Sequence, residues 1–168
     1  EITVSGPVVT KAYDNNPEAN AAHKVKDGEK IWHRMGDLGY LDKDGRLWFC
    51  GRKAERVETI DGPLYTEQVE PIFHAHVEVR RSALIGIGKK KFREPAIVIE
   101  PEPGAFPKSA RAKKRFREEL LEKARGFSFL HDIRNIFFQR NFPVDTRHNA
   151  KIHRLDLARE YTAKLGLS

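Results

Sequence analysis

The feature that most constrains this chain is segment 36–52, GDLGYLDKDGRLWFCGR, which predicts a β-hairpin. Lys43-Asp44-Gly45 is typical of a turn, because Asp tolerates left-handed backbone geometry and Gly adopts it freely. Short apolar strand signals stand on both sides of this turn: Leu38, Tyr40 and Leu41 before it, Leu47, Trp48 and Phe49 after it. Such a hairpin brings Asp37 towards Arg52. Because a carboxylate accepts hydrogen bonds from a vicinal diol and Arg offers a rigid fork of donors, the pair suits a ribose.

Gly36-Asp37-Leu38, followed by Asp-Gly-x-Leu-x-Phe-x-Gly-Arg, resembles the adenylate-forming superfamily of acyl-CoA synthetases, luciferases and peptide-synthetase adenylation domains. The resemblance implies that Asp37 holds the adenosine ribose hydroxyls. It also implies that Arg52 assists just before a hinge between two domains. The alternative is a surface hairpin closed by a salt bridge.

The charge distribution changes at the same point. Residues 1–52 carry 8 basic and 8 acidic residues, whereas residues 53–168 carry 23 and 16 and so account for the whole net charge of +7. We therefore expect residues 1–52 to be the end of a large N-terminal domain, in its β-rich subdomain. We expect residues 53–168 to form a C-terminal lid domain, with the hinge near 52–54.

The pattern beyond the hinge predicts an α+β fold with a mixed sheet and flanking helices. Segments 82–88 and 95–99 are continuous apolar runs of strand length, which indicates burial on both faces. Helical spacing covers 108–125 and 154–165, and 135–138 reads as another strand. An earlier helix is expected to start at Thr66 as its N-cap, with Glu67 and Glu70 as a charge pattern favoured by the helix dipole.

A second motif precedes the last helix. Lys151 resembles the Lys of the Pro-x-x-x-x-Gly-Lys motif near the superfamily's C-terminus, which contacts the substrate carboxylate and the α-phosphate during adenylation. A cation is needed there because a carboxylate attacking a phosphate brings two anions together. The alternative is a surface Lys beside a helix. His148 and His153 flank Lys151 and are either bases for a hydroxyl or solvated loop residues.

Two departures narrow the resemblance. Ala150 stands where the superfamily has Gly before its Lys, and Ala54 stands where it usually has Asp or Lys after the hinge. Together with Gly62-Pro63-Leu64-Tyr65 in place of a segment lining a pantetheine path, these residues resemble the β-lactone synthetases of bacterial long-chain olefin biosynthesis. An enzyme that closes its own substrate into a ring needs no thiol.

The implied reaction is the ATP-dependent adenylation of a long-chain β-hydroxy acid and its closure to a β-lactone, with release of AMP and pyrophosphate. The implied cofactors are ATP and Mg²⁺, with the Mg²⁺ ligands expected in a further N-terminal part that this chain lacks, so that the chain alone would be inactive. A long-chain acyl-CoA synthetase of the same superfamily is the first alternative. A basic docking module is the second, because segment 108–125 carries 8 basic and 3 acidic residues.

That basic face points to three kinds of partner: nucleic acid, an acidic enzyme of the olefin pathway, or a membrane surface. No specific nucleic-acid motif accompanies it. The single cysteine, Cys50, excludes an internal disulfide and reads as a small packed residue, and no spacing typical of a metal site is present. The sequence shows neither a transmembrane run nor a secretory signal, and the expected location is cytoplasmic.

Overall fold

The computed structural model describes residues 1–88, 91, 93–145 and 151–167. The chain divides into two compact units, Glu1–Ala54 and Glu55–Ser168. Each unit has its own sheets and helices, so each is described by itself.

The first unit holds one short helix and two small antiparallel sheets. Its elements are β1 (Thr3–Val4), α1 (Pro17–His23), β2 (Lys24–Asp27), β3 (Lys30–Arg34), β4 (Asp37–Leu41) and β5 (Leu47–Arg52). Helix α1 begins where Asn16 caps it, accepting a hydrogen bond from the Ala19 backbone, with Pro17 at the first helical position. Strands β1, β3 and β2 form one sheet, and β4 pairs with β5 as a separate hairpin. The hairpin predicted from segment 36–52 is therefore confirmed.

The second unit is built on a three-stranded mixed sheet. Its elements are β6 (Val57–Thr59), β7 (Gly62–Leu64), α2 (Thr66–His74), β8 (Val79–Ile87), β9 (Glu94–Pro101), α3 (Ala110–Arg125), β10 (Asn135–Phe138) and α4 (Arg154–Lys164). Strand β9 lies in the centre, antiparallel to β8 and parallel to β10. The α+β fold with a mixed sheet and flanking helices is confirmed.

Alternate residues of β8 and β9 enter two separate cores. Leu84, Ile97 and Ile99 pack with residues of α2 and α3. Ala83, Ile85, Ala96 and Val98 pack with Leu157, Ala158 and Tyr161 of α4. Because successive strand residues point to opposite faces, this division places α2 and α3 on one face of the sheet and α4 on the other. The continuous apolar runs in the sequence thus reflect burial on both faces.

Helix α3 follows its predicted pattern closely. The Ser109 hydroxyl caps its first turn by accepting a hydrogen bond from the Ala112 backbone at 3.1 Å. Phe116, Leu120 and Ala124 recur every four residues and are buried, so the helix presents one apolar stripe to the sheet. Its charged residues lie on the other faces.

One local expectation, the N-cap of α2, was wrong. Helix α2 has Tyr65 at its N-cap position without a side-chain hydrogen bond, and Thr66 is already its first helical residue and is buried. Gly62–Leu64 forms β7, which pairs with β6. Proline lacks the backbone N–H that a strand interior uses, so Pro63 argues against a strand when the sequence is considered alone. In the part of the chain that the structure describes, no helix combines the length and apolar character needed to cross a bilayer.

Phe116→Ala tests the packing of α3 on the sheet. Phe116 is only 1% exposed, so its truncation leaves a cavity and should lower the free energy of unfolding by about 3–5 kcal/mol. Urea denaturation followed by the helical circular dichroism signal measures this change. Phe129→Ala is the matched control, because Phe129 is 43% exposed and its loss should cost under about 1 kcal/mol. Equal effects of the two substitutions would contradict the packing described.

Candidate active site

The turn of the β4–β5 hairpin is organised by one carboxylate. Asp42 Oδ1 accepts hydrogen bonds from the backbone N–H groups of Asp44 (2.9 Å) and Arg46 (3.0 Å). Its Oδ2 accepts from Arg46 Nε at 2.8 Å and from the Trp48 indole at 2.7 Å. Gly45 takes a φ of +77°, which an L side chain rarely adopts. The turn therefore fixes which residues of β4 and β5 stand opposite one another.

A one-residue shift in the pairing between Leu38 and Gly39 then places Asp37 directly opposite Arg52. Arg52 Nη1 lies 2.9 Å from Asp37 Oδ1, and it donates a hydrogen bond to the Met35 carbonyl at 3.3 Å. The structure thus brings together the two residues that the sequence suggested as a ribose-binding pair. The Asp37 side chain is 19% exposed and that of Arg52 is 54% exposed, so both retain surface for a ligand.

One carboxylate oxygen of Asp37 has no hydrogen-bond donor in the part of the chain that the structure describes. Its Oδ1 is buried and close to Arg52, but the guanidinium N–H groups do not meet it in hydrogen-bonding geometry. A buried carboxylate oxygen normally accepts at least one hydrogen bond. Gly36, with a φ of +71°, turns the backbone just before Asp37, and its carbonyl accepts from Lys53 N at 2.8 Å. A role of this pair in binding the hydroxyls of a ribose stays a prediction.

Lys151 lies in the second unit, on a short pairing of two chain segments. Asp145 N donates to the Lys151 carbonyl at 3.0 Å, and His153 N donates to the Pro143 carbonyl at 2.8 Å. Ile152, between them, is buried in the core beneath α4. Lys151 itself is exposed. The backbone at Lys151 is therefore held on a packed base while its side chain faces solvent.

A buried ion-pair network follows three residues later, and sequence reasoning missed it. Arg154, the first residue of α4, donates from Nε to Glu70 Oε1 and from Nη2 to Glu70 Oε2, both at 2.7 Å. Its Nη1 donates to Glu55 Oε2 at 3.1 Å. Glu70 Oε1 also accepts from the Leu84 backbone at 2.8 Å. The expectation that Glu70 only complements the helix dipole is wrong.

The sequence did contain a signal for this role. Glu70 stands four residues after Thr66 and three before Phe73, so all three share the buried side of α2. Burial removes water from the Glu70 carboxyl and raises its pKa, although the hydrogen bonds and charge of Arg154 act in the opposite direction. Burial would lower the pKa of Arg154, but its contacts with Glu70 together with the charges of Glu55 and Glu67 raise it. The bidentate geometry at 2.7 Å is that of an ionised pair.

The remaining sequence candidates differ in position. His153 lies at the N-cap of α4, with Nδ1 3.4 Å from Asp156 Oδ2. Ala54 ends the first unit, within a 3₁₀ turn over Lys53–Glu55. His148 and Ala150 lie outside the described residues. Cys50 is buried, as expected of a small packed residue, and burial raises the pKa of its thiol.

Asp42→Asn tests the turn that aligns Asp37 with Arg52. The hydrogen bonds from the Trp48 indole and then from Arg46 lower the pKa of Asp42 to about 2. In an unfolded chain this carboxyl titrates near pH 4. Since the folded pKa is the lower one, the stabilisation is present above about pH 4 and is lost as the pH falls towards 2.

In the Asp42→Asn variant, the free energy of unfolding should therefore fall less between pH 4 and 2 than in the unchanged chain. Urea denaturation followed by tryptophan fluorescence measures it, because both tryptophans, Trp32 and Trp48, lie in the first unit. Asp44→Asn is the matched control, since Asp44 makes one exposed ion pair with Arg46. An unchanged pH profile in Asp42→Asn would contradict this account of the turn.

No protein-family model matches the chain. The chain is 48% identical to an olefin β-lactone synthetase of Xanthomonas campestris pv. campestris over 94% of its own length and 29% of that protein. It is 45% identical to the olefin β-lactone synthetase of Stenotrophomonas maltophilia, over 98% of the chain and 30% of that protein. Several coenzyme A ligases match at lower identity.

A solved structure matches in the same way. The o-succinylbenzoate coenzyme A synthetase of Bacillus subtilis, in complex with AMP, superposes with a TM-score of 0.74 and 28% identity, covering 94% of the chain and 29% of that protein. The chain thus spans less than a third of these relatives and corresponds to a C-terminal part of them. It belongs to the superfamily of adenylate-forming ligases.

Proposed function

We propose that this chain is the C-terminal part of an ATP-dependent ligase that converts a long-chain β-hydroxy acid to a β-lactone. The observation that carries the proposal is the 45–48% identity to olefin β-lactone synthetases over nearly the whole chain. In the first step the carboxylate attacks the α-phosphate of ATP and releases pyrophosphate. In the second the β-hydroxyl oxygen attacks the activated carbonyl, loses its proton to a base or to water, and displaces AMP.

Asp37 and Arg52 would hold the nucleotide through its ribose. Both stand on one hairpin, opposite one another after the register shift at Leu38 and Gly39, so the binding groups are already in place before ATP arrives. Because the ribose does not change during either step, these contacts stabilise the ground state and the transition state alike. Their role is therefore uniform binding.

Lys151 would offset the negative charge that builds up when the substrate carboxylate approaches the α-phosphate. A compact ammonium on a long stem suits a charge that exists only during one step. The exposure of its side chain and the anchoring of its backbone at Ile152 fit that task. We assign Mg²⁺ to no residue of this chain; when bound, it would neutralise phosphate charge.

An acyl-CoA synthetase is the second candidate, and the matches to coenzyme A ligases favour it. The two reactions share adenylation and differ in the nucleophile of the second step. Ala54 and the β7 strand at Gly62–Leu64, where the sequence departs from the acyl-CoA synthetase pattern, are the observations that lead us to prefer the lactone.

The basic face of α3 does not lead us to a nucleic-acid module. Four of its basic residues have intramolecular partners: Lys114 with Glu118, Arg115 with Glu78 and Glu119, Arg125 with Glu122, and Arg117 with the Ile136 carbonyl. Charges used within the unit contribute less to a phosphate-binding surface.

The product distinguishes the two ligase reactions. The intact ligase that contains this chain, given a long-chain β-hydroxy acid, ATP and coenzyme A, should release a β-lactone and AMP. Mass spectrometry of the products and a coupled AMP assay measure this, with a matched acid that lacks the β-hydroxyl as the control. That control should accumulate acyl-adenylate without a lactone. A coenzyme A thioester as the main product would overturn the lactone assignment and favour the second candidate.

Asp37→Ala and Lys151→Ala should fail in different ways. Asp37→Ala should mainly raise the KM for ATP, because uniform binding is lost. Lys151→Ala should lower kcat for adenylation by about 10²–10³, because one preorganised charge contact with the transition state is lost. ATP–pyrophosphate exchange with the intact ligase measures both constants.

A preformed acyl-adenylate supplies the control for Lys151, since it bypasses the first step. Lys151→Ala should convert that intermediate to product at close to the normal rate. Equal loss with and without the preformed adenylate would move Lys151 into ring closure. Near-normal turnover from ATP would remove Lys151 from catalysis altogether.

A further inference from the structure

The network around Arg154 lies between the proposed catalytic Lys151 and the start of the second unit. Arg154 is three residues after Lys151 and opens α4. Its guanidinium is 14% exposed and the Glu70 and Glu55 side chains are 12% and 14% exposed, so the three charges are largely removed from water. Burying charges is costly unless they are closely paired, so an arrangement of this kind needs a reason.

Arg154 ties the start of α4 to elements on the other face of the sheet. Glu70 belongs to α2, and besides Arg154 it accepts from the Leu84 N–H on β8 at 2.8 Å. Its backbone carbonyl accepts from the Ser82 hydroxyl at 2.9 Å. Glu70 is thus fixed by β8 before Arg154 meets it. The forked contact between Arg154 and Glu70 then sets both the distance and the orientation of the guanidinium.

The third member of the network is Glu55, the first residue of the second unit. It accepts from Arg154 Nη1 at 3.1 Å across 99 residues of sequence. The first residue of the second unit is therefore connected, through one guanidinium, to the segment that carries Lys151.

Two anchors consequently determine where the Lys151 backbone stands. One is the pairing at Val144 and Ile152, with Ile152 buried. The other is Arg154, held by Glu70 and Glu55. Lys151 has an exposed side chain on four flexible methylenes, so the position of its ammonium depends on the position of its backbone.

We propose that Arg154 is a positioning residue for Lys151 and that Glu70 and Glu55 hold it in place. This inference rests on the proposed role of Lys151 in adenylation. Misplacing a catalytic group by about 1 Å can reduce a rate by about 10²-fold, even when the changed residue does not touch the substrate. Arg154 acts through Lys151 and makes no contact with the reacting atoms.

A double-mutant cycle on the intact ligase tests the inference. Arg154→Gln should lower kcat for ATP–pyrophosphate exchange by about 10- to 100-fold. The KM for ATP should change by less than about threefold, since ATP binding is assigned to other residues. In a Lys151→Ala background Arg154→Gln should cause no further loss, because the group that it positions is already absent.

Three further variants separate positioning from folding. Arg154→Lys keeps the charge but cannot make the forked contact, so it should recover only part of the rate. Glu55→Gln leaves the Glu70 contact intact and should lower kcat a few-fold, about 2- to 5-fold. Arg159→Gln is the matched control, because Arg159 lies on the same helix and, within the described part of the chain, contacts its own helix through Asp156 and the Leu155 carbonyl. It should be neutral.

The outcomes separate the inference from the proposed function. If Lys151→Ala adenylates normally, the role of Lys151 fails and the inference fails with it. The second case is that Lys151→Ala lowers kcat and Arg154→Gln lowers kcat by the same factor whether Lys151 is present or replaced by Ala. That result overturns the inference alone. Where Arg154→Gln does not fold by circular dichroism, Arg154→Lys and Glu55→Gln are carried through the same cycle. Independent effects of these two variants would overturn the inference equally.

Discussion

The burial of β9 on both faces is the constraint on which the second unit depends. From Pro95 to Pro101 every residue of this strand is buried. Ala96 and Val98 point to one face while Ile97 and Ile99 point to the other, so each face needs a cover of apolar side chains. Helices α2 and α3 supply one cover and α4 the other. Because α4 covers its face of the sheet, this packing fixes where the helix starts and therefore the path of the chain before it.

A second consequence concerns the edge of the sheet. Among the residues that the structure describes, strand β8 pairs with β9 on one side only, and its Leu84 N–H donates to the Glu70 carboxylate. A carboxylate buried at that edge needs a counter-charge, and Arg154 provides it. The polar network thus follows from the position of β8 at the edge of the sheet. A backbone N–H at this edge needs an acceptor, and the buried carboxylate that accepts from it needs a cation beside it. This cation, Arg154, lies three residues after Lys151 in the sequence. The group that stabilises the edge of the sheet is therefore next to the candidate site in the chain.

The elements of this structure that could be predicted are those with a pattern in a short stretch of sequence. The hairpin that pairs Asp37 with Arg52 follows from a turn sequence and its apolar flanks. Helix α3 follows from a capping Ser109 and a stripe of apolar residues. The Arg154–Glu70 contact spans 84 residues and depends on the packing of two helices against one strand, so no local pattern could reveal it. The spacing of apolar residues also indicates a strand, but it does not show how much of the strand's surface is buried. Tyr40 and Trp48 accordingly stack on each other with about half of each side chain exposed.

The two candidate groups illustrate different uses of charge. Asp37 faces a fixed cation on a neighbouring strand, in a hairpin whose turn is held by four hydrogen bonds to Asp42. Such rigidity suits a ligand group that stays the same throughout a reaction, because the cost of ordering is met during folding. Lys151 is the opposite case, an exposed ammonium on an anchored backbone. A cation that must meet transient charge has to remain unpaired beforehand, since a standing ion pair would have to be broken at each turnover. For the proposed role of Lys151, a fixed backbone with an exposed side chain satisfies both requirements, and the proposed anchoring charge at Arg154 is buried whereas the Lys151 side chain is exposed.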